Sequence, residues 1–245
     1  MGGRNLTGYP TAAAQPLHSS SSRRNHQIGE YMVTADGRGF RYALNGAAAL
    51  VVGDVLQSRV EEAKHDALAV AAAAIGATEV TVTTESTTGA LDENEYADGW
   101  MVIDTTPGLG YTYPISGHPA ADASSTCVIT LAMPIEVALT TDSRVTLVFN
   151  PWSKVIQSPG TTLTGCPVGV AIYPITAAEY GWVQTHGPCG VLISGTPGAG
   201  LPVGVPHTVA GAVIIDDADA TTTVVGRMIE TGRDATVGPV FLTID

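Results

Sequence analysis

The chain has 245 residues, of which 44% are hydrophobic and only 14% are charged, and it contains 28 Gly and 15 Pro. This length accommodates one large all-β domain or two modest ones, and the low charge and many turn residues favour strands over surface helices. The formal net charge of −12 opposes binding to nucleic acid and favours solubility.

The charge is unevenly distributed along the chain. Residues 1–41 contain five basic and two acidic residues, whereas the remainder contains six basic and twenty-one acidic residues. The basic beginning could dock on an acidic surface, although a solvated tail has the same composition. The start has no apolar core typical of a signal peptide, and the longest apolar run, residues 67–77, is too short to span a bilayer. We therefore expect a soluble protein that is made in a cytoplasm.

Residues 1–30 are predicted to form an extended arm. The segment mixes Gly, Pro, Ser and Ala without periodicity, and its stretch SSSSRRNHQ offers no apolar surface to bury. Such a segment is expected to order only on a partner, and it can reach roughly 3.3 Å per extended residue.

Strand signals begin at Tyr31. The sequence YMVTADGRGFRYAL contains two short β runs around Asp36-Gly37, a dipeptide that favours a hairpin turn. Residues 60–76 fit either one short helix or an Ala-rich loop, because Ala, Glu and Lys favour helix but form no clear apolar stripe here. The later sequence alternates short β runs with turns at the 8–12-residue spacing of sandwiches and barrels.

This pattern predicts an all-β fold in which one domain interrupts another. The strands of residues 31–60 are too few to form a barrel alone, because an isolated hairpin is only marginally stable. The apolar C-terminal stretch PVFLTID also requires a partner strand. We therefore expect residues 31–60 and 151–245 to build a small barrel or sandwich, and residues 61–150 to form an inserted second β domain.

The stretch EYGWVQTHGPCGVLI, residues 179–193, contains side chains found in active sites and also alternates like a β-strand. A nucleophilic pair would require Cys189 and His186 to converge, with a third group to orient the histidine. No acid partner or oxyanion motif lies nearby, which favours a structural role. We assign Tyr180 and Trp182 to the core or to an oligomer contact, because both are large enough to anchor either.

Other catalytic, metal and cofactor motifs are weak. The three cysteines and six histidines match no disulfide framework and no metal-binding spacing. The acidic run DDAD at residues 216–219 lacks the Gly and the distal Glu of a calcium loop, which favours a solvated turn. The segment GTPGAG at residues 195–200 lacks the Lys-Ser/Thr of a phosphate loop. We therefore expect no catalytic residues, no cofactor and no metal.

Four longer stretches carry a family resemblance: DGRGFRYALNGAAALVVGDVLQS, NEYADGWMVIDTTPGLGYTYPISGHPAADASSTCVITL, VGVAIYPITAAEYGWVQTHGPCGVLI and VFLTID. They resemble capsid-associated proteins of tailed bacteriophages, in particular the decoration, or cement, proteins encoded near the major capsid protein. The resemblance covers most of residues 31–245 and rests on Gly-Trp strands and turns rich in Ala, Gly and Thr. Residues 1–30 do not share it.

The resemblance implies a non-enzymatic virion protein that binds the outer capsid surface and bridges neighbouring major capsid subunits. The implied partners are the major capsid protein and further copies of the same chain, with a trimer favoured, and neither nucleic acid nor membrane. Assembly would take place in the cytoplasm of a host bacterium. We assign capsid contact to residues 1–30, in particular to Arg4, Tyr9, Arg23 and Arg24.

Two other classes of function stay open at the level of sequence. A virion surface module that binds host carbohydrate or a receptor would use exposed Trp100, Trp152 and Tyr113 as an aromatic platform, and glycan binding by the isolated protein would reveal it. A hydrolase would use acidic residues of the 216–219 run with a cation, and its turnover would depend on metal.

Overall fold

The computed structural model describes residues 15–86, 88–205, 208–216 and 222–245. Within these residues the chain forms seventeen β-strands, one short 3-10 turn and no α-helix, which confirms the all-β fold class. No helical segment of this part of the chain combines the length and the apolarity that a bilayer crossing requires.

The strands alternate with short loops along the whole described chain. In chain order they are β1 (Ser20–Ser21), β2 (Tyr31–Val33), β3 (Gly39–Leu44), β4 (Val55–Gln57), β5 (Leu68–Val70), β6 (Glu79–Thr83), β7 (Trp100–Ile103), β8 (Thr112–Gly117), β9 (Thr126–Leu131), β10 (Arg144–Val148), β11 (Ile156–Gln157), β12 (Pro167–Ala171), β13 (Tyr180–Ile193), β14 (Pro202–Val205), β15 (Ile214–Ile215), β16 (Thr223–Met228) and β17 (Thr236–Thr243). The 3-10 turn is Ala63–His65.

Contacts within the chain divide it into two compact units. Unit 1 contains the chain as far as Val60 and again Pro151–Asp245, and unit 2 is Glu61–Asn150. Unit 2 therefore interrupts unit 1 in the sequence. Each unit buries its own apolar side chains, in one cluster in unit 2 and in three clusters in unit 1.

Unit 2 is a closed antiparallel barrel with the strand order β10-β5-β6-β9-β8-β7. Along β6 and β9 every second side chain points into the barrel, where Val80, Val82 and Ile129 are fully buried. Residues 60–76 form no α-helix; they contain the single 3-10 turn Ala63–His65, strand β5 and a loop, so the Ala-rich part is divided between a strand and a loop. The β5 strand forms because it pairs with both β6 and β10 and so closes the barrel.

Unit 1 is an eleven-stranded sheet built around the long strand β13. Strand β13 pairs with β3 along its first half and with β17 along its second half. Near the start of β13, strands β1 and β12 pair with the edge opposite to the one that pairs with β3. The sheet continues from β17 through β16 and β14 to β15, and from β12 through β4 to β11.

Strands β2 and β3 form the hairpin that the sequence predicted around Asp36-Gly37. Their register pairs Tyr31 with Arg41, and the Gly37 N–H donates to the Thr34 carbonyl at 2.9 Å. Gly37 has a φ of 85°, which is readily accessible to glycine and explains its place in the turn.

Residues 15–30, which the sequence assigned to an arm that orders only on a partner, pack on unit 1 of the same chain. Strand β1 pairs with the start of β13, and the Gln15 side chain donates to the Tyr180 carbonyl at 2.9 Å and accepts from Tyr42 Oη at 2.6 Å. The prediction failed for this part because hydrogen bonds and two isolated apolar side chains, Leu17 and Ile28, attach the segment without any apolar stretch. Arg4 and Tyr9 lie outside the described residues.

Trp182 is the largest fully buried side chain, and it packs where residues 15–30 meet the sheet. Its ring lies 5.1 Å from that of Tyr42 and 4.9 Å from that of His26. Its Nε1 donates to the Gln15 carbonyl at 3.1 Å. We predict that Trp182→Ala lowers the free energy of unfolding by about 3–5 kcal/mol, the usual cost of truncating a buried aromatic, as measured by urea denaturation.

The control for this variant is Tyr173→Ala, which truncates an aromatic side chain of unit 1 that is exposed. It should change the free energy of unfolding by less than about 0.5 kcal/mol. Equal effects of the two substitutions would show that Trp182 does not anchor the core.

Asp54 is a buried carboxylate in unit 1. It accepts a hydrogen bond from Gln157 Nε2 at 2.7 Å, but desolvation raises its pKa above the ordinary value. Because the pKa is higher in the folded than in the unfolded chain, ionisation of Asp54 costs stability as the pH rises through the folded value. Asp54→Asn removes this cost and preserves an acceptor for Gln157.

We therefore predict that Asp54→Asn is more stable than the wild type at pH 7, and that the difference shrinks as the pH falls toward about 3.9, the ordinary Asp value. Thermal unfolding across this pH range measures it. Asp36→Asn is the control of opposite sign, because hydrogen bonding from Thr34 lowers the pKa of the exposed Asp36. A pH-independent difference for Asp54→Asn would contradict the prediction.

Candidate interaction surface

The stretch that resembled an active site is strand β13, and its two reactive side chains, His186 and Cys189, lie on opposite faces of the sheet. The register with β17 is continuous from His186 to Ile193, so residues at odd and even positions alternate between faces. His186 packs edge-on against Phe241, with ring centroids 5.4 Å apart, whereas Cys189 is buried in the core. The two side chains therefore cannot form a nucleophilic pair.

The other catalytic and metal candidates gain no support from the described residues. Among the described residues, no group of three or more His, Cys, Asp or Glu side chains could hold a metal ion. In the acidic run at 216–219, only Asp216 is described. Residues 195–200 connect β13 to β14 rather than a strand to a helix, so they do not have the setting of a phosphate loop.

A polar pocket of about 430 Å³ lies beside His118 in unit 2. Both ring nitrogens of His118 are engaged, because Nε2 accepts from the Tyr96 N–H at 3.1 Å and Nδ1 lies 2.9 Å from the Pro119 carbonyl. The Asn94 side chain accepts from the His118 N–H at 3.0 Å. These bonds hold the loops together, and His118 offers no unoccupied nitrogen to a substrate.

The aromatic platform expected for a carbohydrate-binding module does not form. Tyr113 is buried in the barrel of unit 2, where its hydroxyl accepts from the Glu136 N–H at 3.0 Å. Trp152 belongs to unit 1, where it is half-buried beneath Arg41, whose guanidinium lies 4.7 Å from the ring centroid. The premise that these rings are exposed is therefore wrong, because Tyr113 fills a core and an arginine covers Trp152. Trp100, at the start of β7 in unit 2, is also only half-exposed.

The remaining candidate contact residues lie near β1. Arg23 and Arg24 are exposed, and Arg24 Nε donates to the His26 carbonyl at 3.1 Å. Tyr180 is half-buried and stacks on Tyr42, with ring centroids 5.9 Å apart. Tyr180 and Trp182 thus lie together at the junction with residues 15–30, whereas the two arginines face solvent.

The outer face of the sheet in unit 1 presents an apolar surface that sequence reasoning missed. Alternation along β17 turns Val237, Pro239 and Phe241 outward, and 55% of Val237 and 40% of Phe241 are exposed. The register places Pro188 opposite Phe241. We call this surface the sheet-face patch and define it by Pro188, Leu192, Ile229, Val237, Pro239 and Phe241.

The sheet-face patch is almost uncharged. Residues 186–193, 223–229 and 236–243 include one permanently charged side chain, Arg227, which lies opposite Phe241 in the β16–β17 register. The chain as a whole carries a net charge of −12, so this face differs strongly from the average surface. Contiguous exposed apolar surfaces are typical of interaction sites, which makes this face the candidate interaction surface of unit 1.

The sequence contained a signal for this patch, although it was ambiguous. The stretch PVFLTI is apolar at odd and at even positions, which is typical of a strand with both faces buried. In the structure one face of β17 packs on the core and the other is exposed.

Comparison with known proteins gives no match to any protein-family model, to any curated protein or to any solved structure.

The three cysteines differ in their environments, which yields a test of the structural role given to Cys189. Burial raises the pKa of the Cys189 thiol to about 12 and also raises that of Cys127, whereas Cys166 is exposed. At pH 8 the thiolate fraction of Cys189 is on the order of 1 in 10,000, so it cannot act as a nucleophile.

We therefore predict that one thiol per folded chain reacts rapidly with Ellman's reagent at pH 8, and that Cys166→Ser abolishes this reaction. The unfolded chain in urea, where all three thiols are accessible, is the control. Rapid labelling of Cys189 in the folded protein would contradict the structural role.

Proposed function

We propose that this chain is a non-enzymatic structural protein of a virion, a capsid decoration protein that binds the outer surface of the shell and bridges neighbouring major capsid subunits. The sheet-face patch is the observation that carries the proposal, because an uncharged apolar surface on an otherwise acidic chain is suited to binding another protein. The sequence resemblance to decoration proteins of tailed bacteriophages supports the same role.

The energetics of the sheet-face patch fit a contact that is repeated over a lattice. Complete burial of each Val or Phe side chain contributes roughly 1.5–3 kcal/mol, and a standard protein interface buries about 1,600 Å² in total. A few such side chains give only a moderate affinity once the costs of association are included. On a shell, further contacts of a bound copy become effectively intramolecular, so that moderate interfaces add up to stable attachment.

The proposal includes self-association, with a trimer favoured. Copies that carry a net charge of −12 repel one another at low ionic strength, and contact through a nearly uncharged face reduces that repulsion. The exposed Arg23 and Arg24 are proposed to contact the shell, as are Arg4 and Tyr9. In this proposal residues 15–30 stay attached to unit 1 and present the two arginines from there.

The test replaces two outward side chains of the patch by glutamates, in the variant Val237→Glu/Phe241→Glu. Shells assembled from the major capsid protein of the same genome are mixed with the variant and sedimented, and bound protein is quantified. We expect binding at least about tenfold weaker than that of the wild type, because docking would bury two unpaired charges. Light scattering of the variant alone reports any change in self-association.

The matched control is Tyr173→Glu/Val209→Glu, which adds the same charge to unit 1 at two other exposed positions. This variant should sediment with the shells as the wild type does. If the patch variant keeps wild-type occupancy and wild-type mass in solution, the sheet-face patch is not the contact surface. Wild-type protein that fails to bind shells would refute the function itself.

A further inference from the structure

Unit 2 carries a second apolar surface, at one end of its barrel. Strands β5, β7 and β9 run toward this end, and β6, β8 and β10 run away from it, because neighbours in the closed barrel are antiparallel. The connections β5–β6, β7–β8 and β9–β10 therefore meet there. They are residues 71–78, 104–111 and 132–143.

Hydrogen bonds and packing join these three loops. The Gly76 N–H donates to the Ile135 carbonyl at 2.8 Å, and the Ile135 N–H donates to the Ala77 carbonyl at 2.9 Å, which connects the first loop to the third. Ser143 Oγ donates to the Pro107 carbonyl at 2.9 Å, which connects the third to the second. The loops thus form a single ordered surface.

Four large apolar side chains of these loops point to solvent. Ile75, Leu109, Tyr111 and Met133 are each between 40% and 68% exposed, and we call them the barrel-end patch. These four side chains lie outside the barrel interior. Ile135 and Leu139 of the third loop belong to the buried cluster that fills it. Several large exposed apolar groups on loops that are joined to one another are typical of a contact surface.

The margin of the barrel-end patch is acidic. Residues 71–79, 104–111 and 132–144 contain four acidic residues and one basic residue. Of the acidic residues, Glu79, Glu136 and Asp142 are exposed. The basic residue, Arg144, donates to the carbonyls of Thr141 and Ser143 at 2.8 Å, so hydrogen bonds to its own loop engage the guanidinium.

The patch also lies away from the two chain crossings that connect unit 2 to the rest of the chain. The chain enters unit 2 at Glu61 and leaves it at Asn150, just before the start of β5 and just after the end of β10. Both positions are at the barrel end opposite to the three loops, because β5 runs toward the loops and β10 runs away from them. The covalent connections therefore leave the barrel-end patch unobstructed.

We propose that the barrel-end patch is a second docking site, which binds a protein surface that has an apolar centre flanked by Lys or Arg side chains. The apolar side chains supply the contact and the acidic margin selects a basic rim by charge complementarity. An anionic membrane would be repelled by the same margin, which favours a protein partner. On the function proposed above, on which this inference rests, that partner is a major capsid subunit.

The test uses the full chain with Ile75→Ser/Leu109→Ser/Met133→Ser and the same shell sedimentation assay. We expect at least about tenfold weaker binding, because three exposed apolar contacts are removed while the barrel interior is untouched. The matched control is Val128→Ser/Val148→Ser, which removes two exposed apolar side chains from the barrel strands and should bind as the wild type does. Equal unfolding temperatures of the variants exclude loss of structure.

A second variant, Glu136→Lys/Asp142→Lys, tests the charge of the partner. It should weaken binding at low salt by several fold and make the remaining binding less dependent on salt, because attraction to a basic rim is lost. Tighter binding of this variant would overturn the basic-rim assignment.

The outcomes separate this inference from the proposed function. If the wild type binds shells and the serine variant binds equally well, the barrel-end patch is not a docking site, whereas the function stands. If the wild type does not bind shells, both are refuted. Sedimentation of the wild type with phosphatidylcholine vesicles, lost in the serine variant, would assign the patch to lipid and overturn the protein partner.

Discussion

Unit 1 depends on the lateral hydrogen bonding of one long strand, β13. Its fourteen residues connect the sheet from β3 to β17, so both the buried aromatic cluster and the exposed sheet face depend on its register. A shift of one residue would move Trp182 to the face where Val183 packs in another core cluster, and it would turn Cys189 outward. Gly181 shows how tightly this register is constrained, because a Cβ there would lie 2.5 Å from Ile175 Cδ1.

Residues 15–30 complete this core by polar contacts. The Gln15 side chain is buried and hydrogen-bonds with Tyr42 Oη and the Tyr180 carbonyl, while the main-chain carbonyl of Gln15 accepts from Trp182 Nε1. Buried polar groups of aromatic residues are costly without such partners. The segment therefore contributes hydrogen bonds where the sheet alone would leave tyrosine and tryptophan groups unsatisfied, and composition alone gives no indication of this contribution.

Local sequence patterns predicted local structure well. The Asp36-Gly37 dipeptide predicted the β2–β3 hairpin, and the alternation in residues 179–193 is that of strand β13. Contacts between distant segments were not predictable in this way. Ile75, Leu109 and Met133 are separated by more than twenty residues in the sequence, and only closure of the barrel brings their loops to one end. Similarly, no pattern within β17 distinguishes a strand covered on both faces from one with an exposed apolar face.

The proposed bridging of two neighbours on a shell requires at least two separate contact surfaces, and a chain with two compact units offers one on each unit. The sheet-face patch belongs to unit 1 and the barrel-end patch to unit 2, and each unit has its own apolar core. The core of unit 1 therefore supports the sheet-face patch, and the separate core of unit 2 supports the barrel-end patch. Both chain crossings lie at the barrel end opposite to the barrel-end patch, so the covalent linkage between the units does not cross that patch.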